Sequence, residues 1–141
     1  MSVPLPNVHH IGFVVEQIAQ SMEGFIRVLS GTWDGRVFAD PHQLVKVAFL
    51  STRFGGPRIE LVEPDGEESP VRRFLAEKGG GLHHVCYEVP DLEREIAEMR
   101  MHGALLVRRP MSAVAFEGRR IAWVLTRERF LVELLEAGSG T

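Results

Sequence analysis

A chain of 141 residues, 45% hydrophobic and 25% charged, has the size and composition of one globular domain with its own core, which excludes a disordered polypeptide. A net charge of -3, with Arg72-Arg73, Arg108-Arg109 and Arg119-Arg120 scattered among acids, excludes the basic stripe of a nucleic-acid binder and suits at most a small anionic substrate. No run is long enough to span a membrane, residues 1–7 show no signal-like pattern, and the single Cys86 excludes an intramolecular disulfide, so a cytoplasmic protein with a small-molecule partner is expected.

Taken in chain order, the elements occur twice. A strand is predicted from His9 to Val15, rich in β-branched and aromatic residues. Ile18, Met22, Phe25, Ile26 and Leu29 then recur at helical spacing, with Gly31 as the expected stop. Strands follow near residues 35–39, 45–52 and 58–62. The link 63–81 opens with a Pro64-Asp65-Gly66 turn, continues as a short helix capped at Ser69 with Pro70 first, and ends in three glycines. The series then restarts: a strand over 83–89, an N-cap at Asp91, a stripe of Leu92, Ile96 and Met99 before Gly103, and strands near 105–108, 119–125 and 130–135.

The two series match residue by residue. Val8 aligns with Leu82 and Lys46 with Arg120, both at an offset of 74, and Arg58 aligns with Leu131 one residue closer. Three matches in one order identify two copies of a βαβββ module, about 7–64 and 82–137, around a linker helix at about 65–81.

Side chains alternate faces along a strand. His10, Gly12 and Val14 therefore share one face, as do His84, Cys86 and Glu88, while His9 and His83 fall on the bulkier opposite faces. His10 and His84 each neighbour a small residue, which leaves room for an ion and its ligand. Glu60 and Glu133 interrupt the apolar runs Ile59–Val62 and Val132–Leu135 at equivalent positions of the two copies. A carboxylate in such a strand is either at a solvated edge or buried with a partner. Two His and two Glu arriving in repeat-related pairs are a ligand set for one divalent first-row cation. His42 and His102 are assigned no role.

These segments resemble the vicinal oxygen chelate superfamily, which includes glyoxalase I, methylmalonyl-CoA epimerase, extradiol dioxygenases and bleomycin-resistance proteins. The resemblance covers nearly the whole chain. It is carried by Val45–Leu50, Ile59–Pro64, Ser69-Pro70, Phe74-Leu75, Gly81–Val85 and Val132–Glu136, and is greatest to the epimerase-like and glyoxalase-like branches. It implies an α+β fold, a single domain of two βαβββ modules in one cupped mixed sheet with helices outside, and a homodimer. It implies one divalent metal (zinc, cobalt, nickel or manganese) on His10, Glu60, His84 and Glu133. It also implies proton transfer next to a carbonyl, with Glu133 as the base and Glu60 second, and Phe49 and Trp123 facing the pocket.

The expected activity is that of an isomerase epimerising a 2-substituted acyl thioester such as methylmalonyl-CoA. The alternatives are a glyoxalase I-like lactoylglutathione lyase and a non-catalytic small-molecule-binding resistance protein. Two departures stand out: Val47 occupies a position where some epimerases carry a second acid, and the loop 126–130 is short.

Overall fold

The computed structural model describes residues 7–138; residues 1–6 of the N-terminal stretch considered above lie outside them. The fold is α+β, with mixed β-sheet and helices. In order the elements are β1 (Asn7–Val14), α1 (Ile18–Leu29), β2 (Thr32–Trp33), β3 (Phe38–Asp40), β4 (Val45–Ser51), β5 (Arg58–Pro64), α2 (Arg72–Lys78), β6 (Gly81–Val89), α3 (Leu92–Met101), β7 (Leu105–Ser112), β8 (Arg120–Leu125) and β9 (Leu131–Glu136). They divide into two compact units, one being His10–His83 and the other running from His84 onward and including His9.

In the first unit the strand order is β2-β4-β5-β1, with β3 also on β4. β1 and β5 run parallel, whereas β4 is antiparallel to β5. The apolar stripe of α1 explains its placement. Ile18 and Met22 are buried against Ala48, Leu50 and Leu61, with Phe13, Phe25, Ile26 and Ile59 around them. The helix thus covers the sheet face that carries Phe13, Ala48 and Leu61, and alternation sends His10, Phe49 and Glu60 to the other face.

The second unit repeats this plan. Its order is β6-β9-β8-β7, with β6 parallel to β9 and antiparallel pairs thereafter. Leu92 and Ile96 of α3 pack on Ala122, Val124 and Leu134, leaving Trp123, Glu133 and His84 on the opposite face. Asp91 caps α3, its side chain accepting from the Arg94 N–H at 3.1 Å.

Three local expectations differ. Helix α1 turns out of its helical course at Ser30 (φ 48°) rather than at Gly31, whose place is fixed instead by space: a Cβ there would lie 2.7 Å from Leu50 Cδ1. Helix α2 starts at Arg72, not after Ser69. The Ser69 carbonyl closes a turn by accepting from the Arg72 N–H, and its hydroxyl does not cap the helix. The single strand expected near 35–39 is two short ones, β2 and β3, because Trp33 Nε1 donates to the Arg36 carbonyl and the Asp34 side chain accepts from the Arg36 N–H, folding the chain between them.

Candidate metal centre

Each unit builds the same pair of side chains on the sheet face that its helix leaves uncovered. In the first, parallel pairing sets Gly12 beside Glu60, and β4 sets Phe49 on the other side of Glu60. In the second, Cys86 and Trp123 flank Glu133 in the same way. Each carboxylate therefore has a small residue on one side, leaving space above the sheet, and an aromatic ring on the other.

The imidazoles complete the pairs. His10 Nε2 lies 3.4 Å from Glu60 Oε1, and His84 Nε2 lies 3.3 Å from Glu133 Oε1. All four residues are buried, at 0%, 5%, 4% and 3% exposure for His10, Glu60, His84 and Glu133. Each ring is held edge-on by the aromatic neighbour of its own unit: His10 meets Phe49 at 5.4 Å and 72°, and His84 meets Trp123 at 4.8 Å and 83°. Such contacts fix the plane of an imidazole and so the direction of its nitrogen lone pair.

The spacing within each pair fits a cation. Both gaps exceed the usual hydrogen-bond range. Two ligand atoms each about 2.1 Å from one ion stand about 3.0–3.4 Å apart at octahedral to tetrahedral angles. Within its own unit each carboxylate is approached by an imidazole, and burying such an acid is costly without a compensating positive charge. Imidazole with carboxylate is also the donor chemistry of zinc, cobalt, nickel and manganese.

Other candidates are placed elsewhere. His9 packs edge-on against Phe116 at 5.3 Å, in the 3-10 turn Val114–Phe116, and His83 does so against Phe74 of α2 at 4.9 Å. The apolar segment 112–116 is thus a packed connection, with Ala113 and Phe116 buried. Glu88 pairs with Arg119 at 2.5 Å. Arg120 bridges Glu93 of α3 and Glu136 of β9 at 2.7 and 2.5 Å, and the hydrogen bonds it donates to these two acids raise its pKa above the ordinary guanidinium value.

Two further charged residues have a definite place in the first unit. Asp40 is buried at the end of β3, its carboxylate accepting from the His42 and Gln43 N–H groups and from Gln43 Nε2 at 2.9–3.2 Å; Asp followed by Pro41 was the available turn signal. Arg58 shares a face with Glu60 by alternation and is the register partner of His10. Its signal was a basic residue where the second copy has Leu131.

Comparison with known proteins agrees with this architecture. The family model of the glyoxalase/bleomycin resistance protein/dioxygenase superfamily matches residues 9–123. The chain is 33% identical over 130 residues to the uncharacterized protein YqjC of Bacillus subtilis, covering 90% of this chain and 89% of that one. It is 30% identical over 97 residues to the mitochondrial methylmalonyl-CoA epimerase of Mus musculus, covering 68% of this chain and 53% of the mouse protein. The crystal structure of a hypothetical protein from Bacillus halodurans superposes with a TM-score of 0.84 at 28% identity, covering 98% of this chain and 99% of that one.

Proposed function

From the premise that this chain belongs to the glyoxalase/bleomycin resistance protein/dioxygenase superfamily, we propose that it is a metal-dependent isomerase moving a proton next to the carbonyl of an acyl thioester. The observation that carries the reading is the duplicated, buried His–Glu pair at ligand spacing, one in each unit. His10, Glu60, His84 and Glu133 would together hold one divalent ion. The epimerase relatives support a 2-substituted acyl thioester such as methylmalonyl-CoA as the substrate. The reading includes the whole chain acting as one domain, as a cytoplasmic homodimer.

When bound, such an ion supplies Lewis acidity to a carbonyl oxygen and so acidifies the neighbouring carbon. The chain's own residues do the rest. Glu133 takes the proton from that carbon, and a carboxylate within reach is a competent base once the carbon is acidified. Inverting the centre requires return of a proton to the opposite side of the carbon. Val47 supplies no acid on β4, so Glu60, the repeat-equivalent of Glu133, enters the step protonated and delivers its own proton, ending as the carboxylate while Glu133 keeps the proton it took. Phe49 and Trp123 hold the imidazoles in plane and line the substrate's approach.

Elemental analysis of the purified protein beside His84→Ala and Glu133→Ala tests the centre directly. One equivalent of metal is expected in the wild type and a large loss in each variant, with folding retained by circular dichroism. Metal retained in full by both variants would overturn the ligand assignment. The reaction is tested in deuterated water. Exchange of the 2-hydrogen of methylmalonyl-CoA is expected, and its absence, together with turnover of methylglyoxal and glutathione, would replace the isomerase by a lyase.

A further inference from the structure

Beside the His10–Glu60 pair, the first unit carries a charged feature for which the metal has no use. The Arg58 guanidinium lies over the Phe49 ring, its Cζ 4.9 Å from the centroid. Phe49 meets Phe38 of β3 at 6.4 Å, and the Arg36 Cζ stands 4.7 Å over Phe38. The four side chains form a continuous row, guanidinium, ring, ring, guanidinium. Its inner ring is the one that touches His10.

Both arginines are exposed, and among the described residues no carboxylate pairs with either guanidinium. The acid nearest in sequence to Arg36, Asp34, accepts from the Arg36 backbone N–H. Arg58 differs in this from Arg119 and Arg120, which are paired with acids. A guanidinium held over a ring face by its cation–π contact still has N–H donors that can meet an oxyanion in a two-point contact.

The internal repeat shows that the fold does not require this arginine. Phe49 corresponds to Trp123, Glu60 to Glu133 and His10 to His84, all kept in chemical type. At the position of Arg58 the second copy has Leu131, which likewise opens its strand, β9. By register, Phe38 opposite Val47 corresponds to Met111 opposite Ile121. The two copies agree on the ligand pair and differ at the position of Arg58, so that position is where one half has specialised.

We propose that Arg58, backed by Phe49 and assisted by Arg36, is a specificity-determining residue that binds an oxyanion of the substrate next to the metal pair. The substrate class is then an acyl thioester bearing a negative charge: a carboxylate on the acyl group or a phosphate of the thiol carrier. This rests on the proposed thioester chemistry for the identity of the ligand, but not on turnover for its test.

Calorimetric titration of the metal-loaded protein decides it, using four probes: methylmalonyl-CoA, propionyl-CoA, and the methylmalonyl and propionyl thioesters of pantetheine. The variants are Arg58→Leu, which copies the second module, and Arg58→Lys, which keeps the charge but not the fork. Loss of a charged hydrogen bond weakens binding by about tenfold to a hundredfold. That loss is expected in Arg58→Leu with partial recovery in Arg58→Lys, at unchanged metal content. If the acyl carboxylate is the ligand, only the two methylmalonyl esters weaken; if a carrier phosphate is, both CoA esters weaken and both pantetheine esters do not. Equal affinities of Arg58→Leu and wild type for all four probes overturn the proposal, as does an equal loss for all four including neutral propionyl-pantetheine. A charge-dependent loss without any exchange of the 2-hydrogen in the wild type would instead leave Arg58 standing and remove the isomerase reading.

Discussion

At the scale of single residues, Glu60 and Glu133 have matched surroundings and unequal proposed roles. Each has a small residue on one side, an aromatic residue on the other, and an imidazole nitrogen within 3.4 Å. Replacing either acid by glutamine keeps its shape and a carbonyl oxygen that can still ligate, but removes the group that accepts a proton. Glu133→Gln is therefore expected to slow exchange of the 2-hydrogen by about a hundredfold or more, the usual contribution of a positioned base. Glu60→Gln is expected to retain exchange while losing inversion, measured by comparing deuterium incorporation with the change in optical rotation. Equal exchange rates in Glu133→Gln and wild type would rule Glu133 out as the base.

Among the elements, the junction of α2 and β6 carries a steric requirement set by backbone. Gly79 ends α2 in the left-handed region at φ 74°, and its N–H donates to the Leu75 carbonyl. Gly80 follows at φ 97°, where an added Cβ would stand 2.8 Å from the carbonyl oxygen of Val14. This strand end cannot retreat cheaply, because the Val15 N–H donates to the Val62 carbonyl at 2.9 Å. Gly80→Ala is thus expected to destabilise by about 2 kcal/mol or more, from an unfavourable φ and a backbone clash together. Urea unfolding would show it as a lowered midpoint; an unchanged midpoint would mean the turn has an alternative course.

For the molecule as a whole, the repeat has a thermodynamic consequence if one ion is shared by ligands from both copies. Removing it would withdraw a ligand that binds only the folded chain. Such a ligand contributes about 2.7 kcal/mol when present at 100 times its Kd. Chelation is therefore expected to lower the Tm of the wild type and to leave the Tm of His84→Ala nearly unmoved. Equal shifts in both, followed by scanning calorimetry, would show that chelation acts elsewhere.

Much of this was legible in the sequence because period-2 and period-3.6 patterns are local properties of the chain. Residues 18–29 announced their helix by spacing, Asp91 its cap, and the offset between copies placed Glu60 and Glu133 in the same structural slot. What local pattern could not supply was anything set by space between elements. Gly31 sits where a helix stop is expected, yet its constraint is the Leu50 side chain of β4, and Ser69 has the pattern of a cap, yet the turn it closes delays α2 until Arg72. Arg58 was one basic residue among sixteen until tertiary structure laid it on Phe49. Alternation along a strand names the face of a side chain, but which ring lies beneath it depends on strand register, and register is fixed by the packing of the whole sheet.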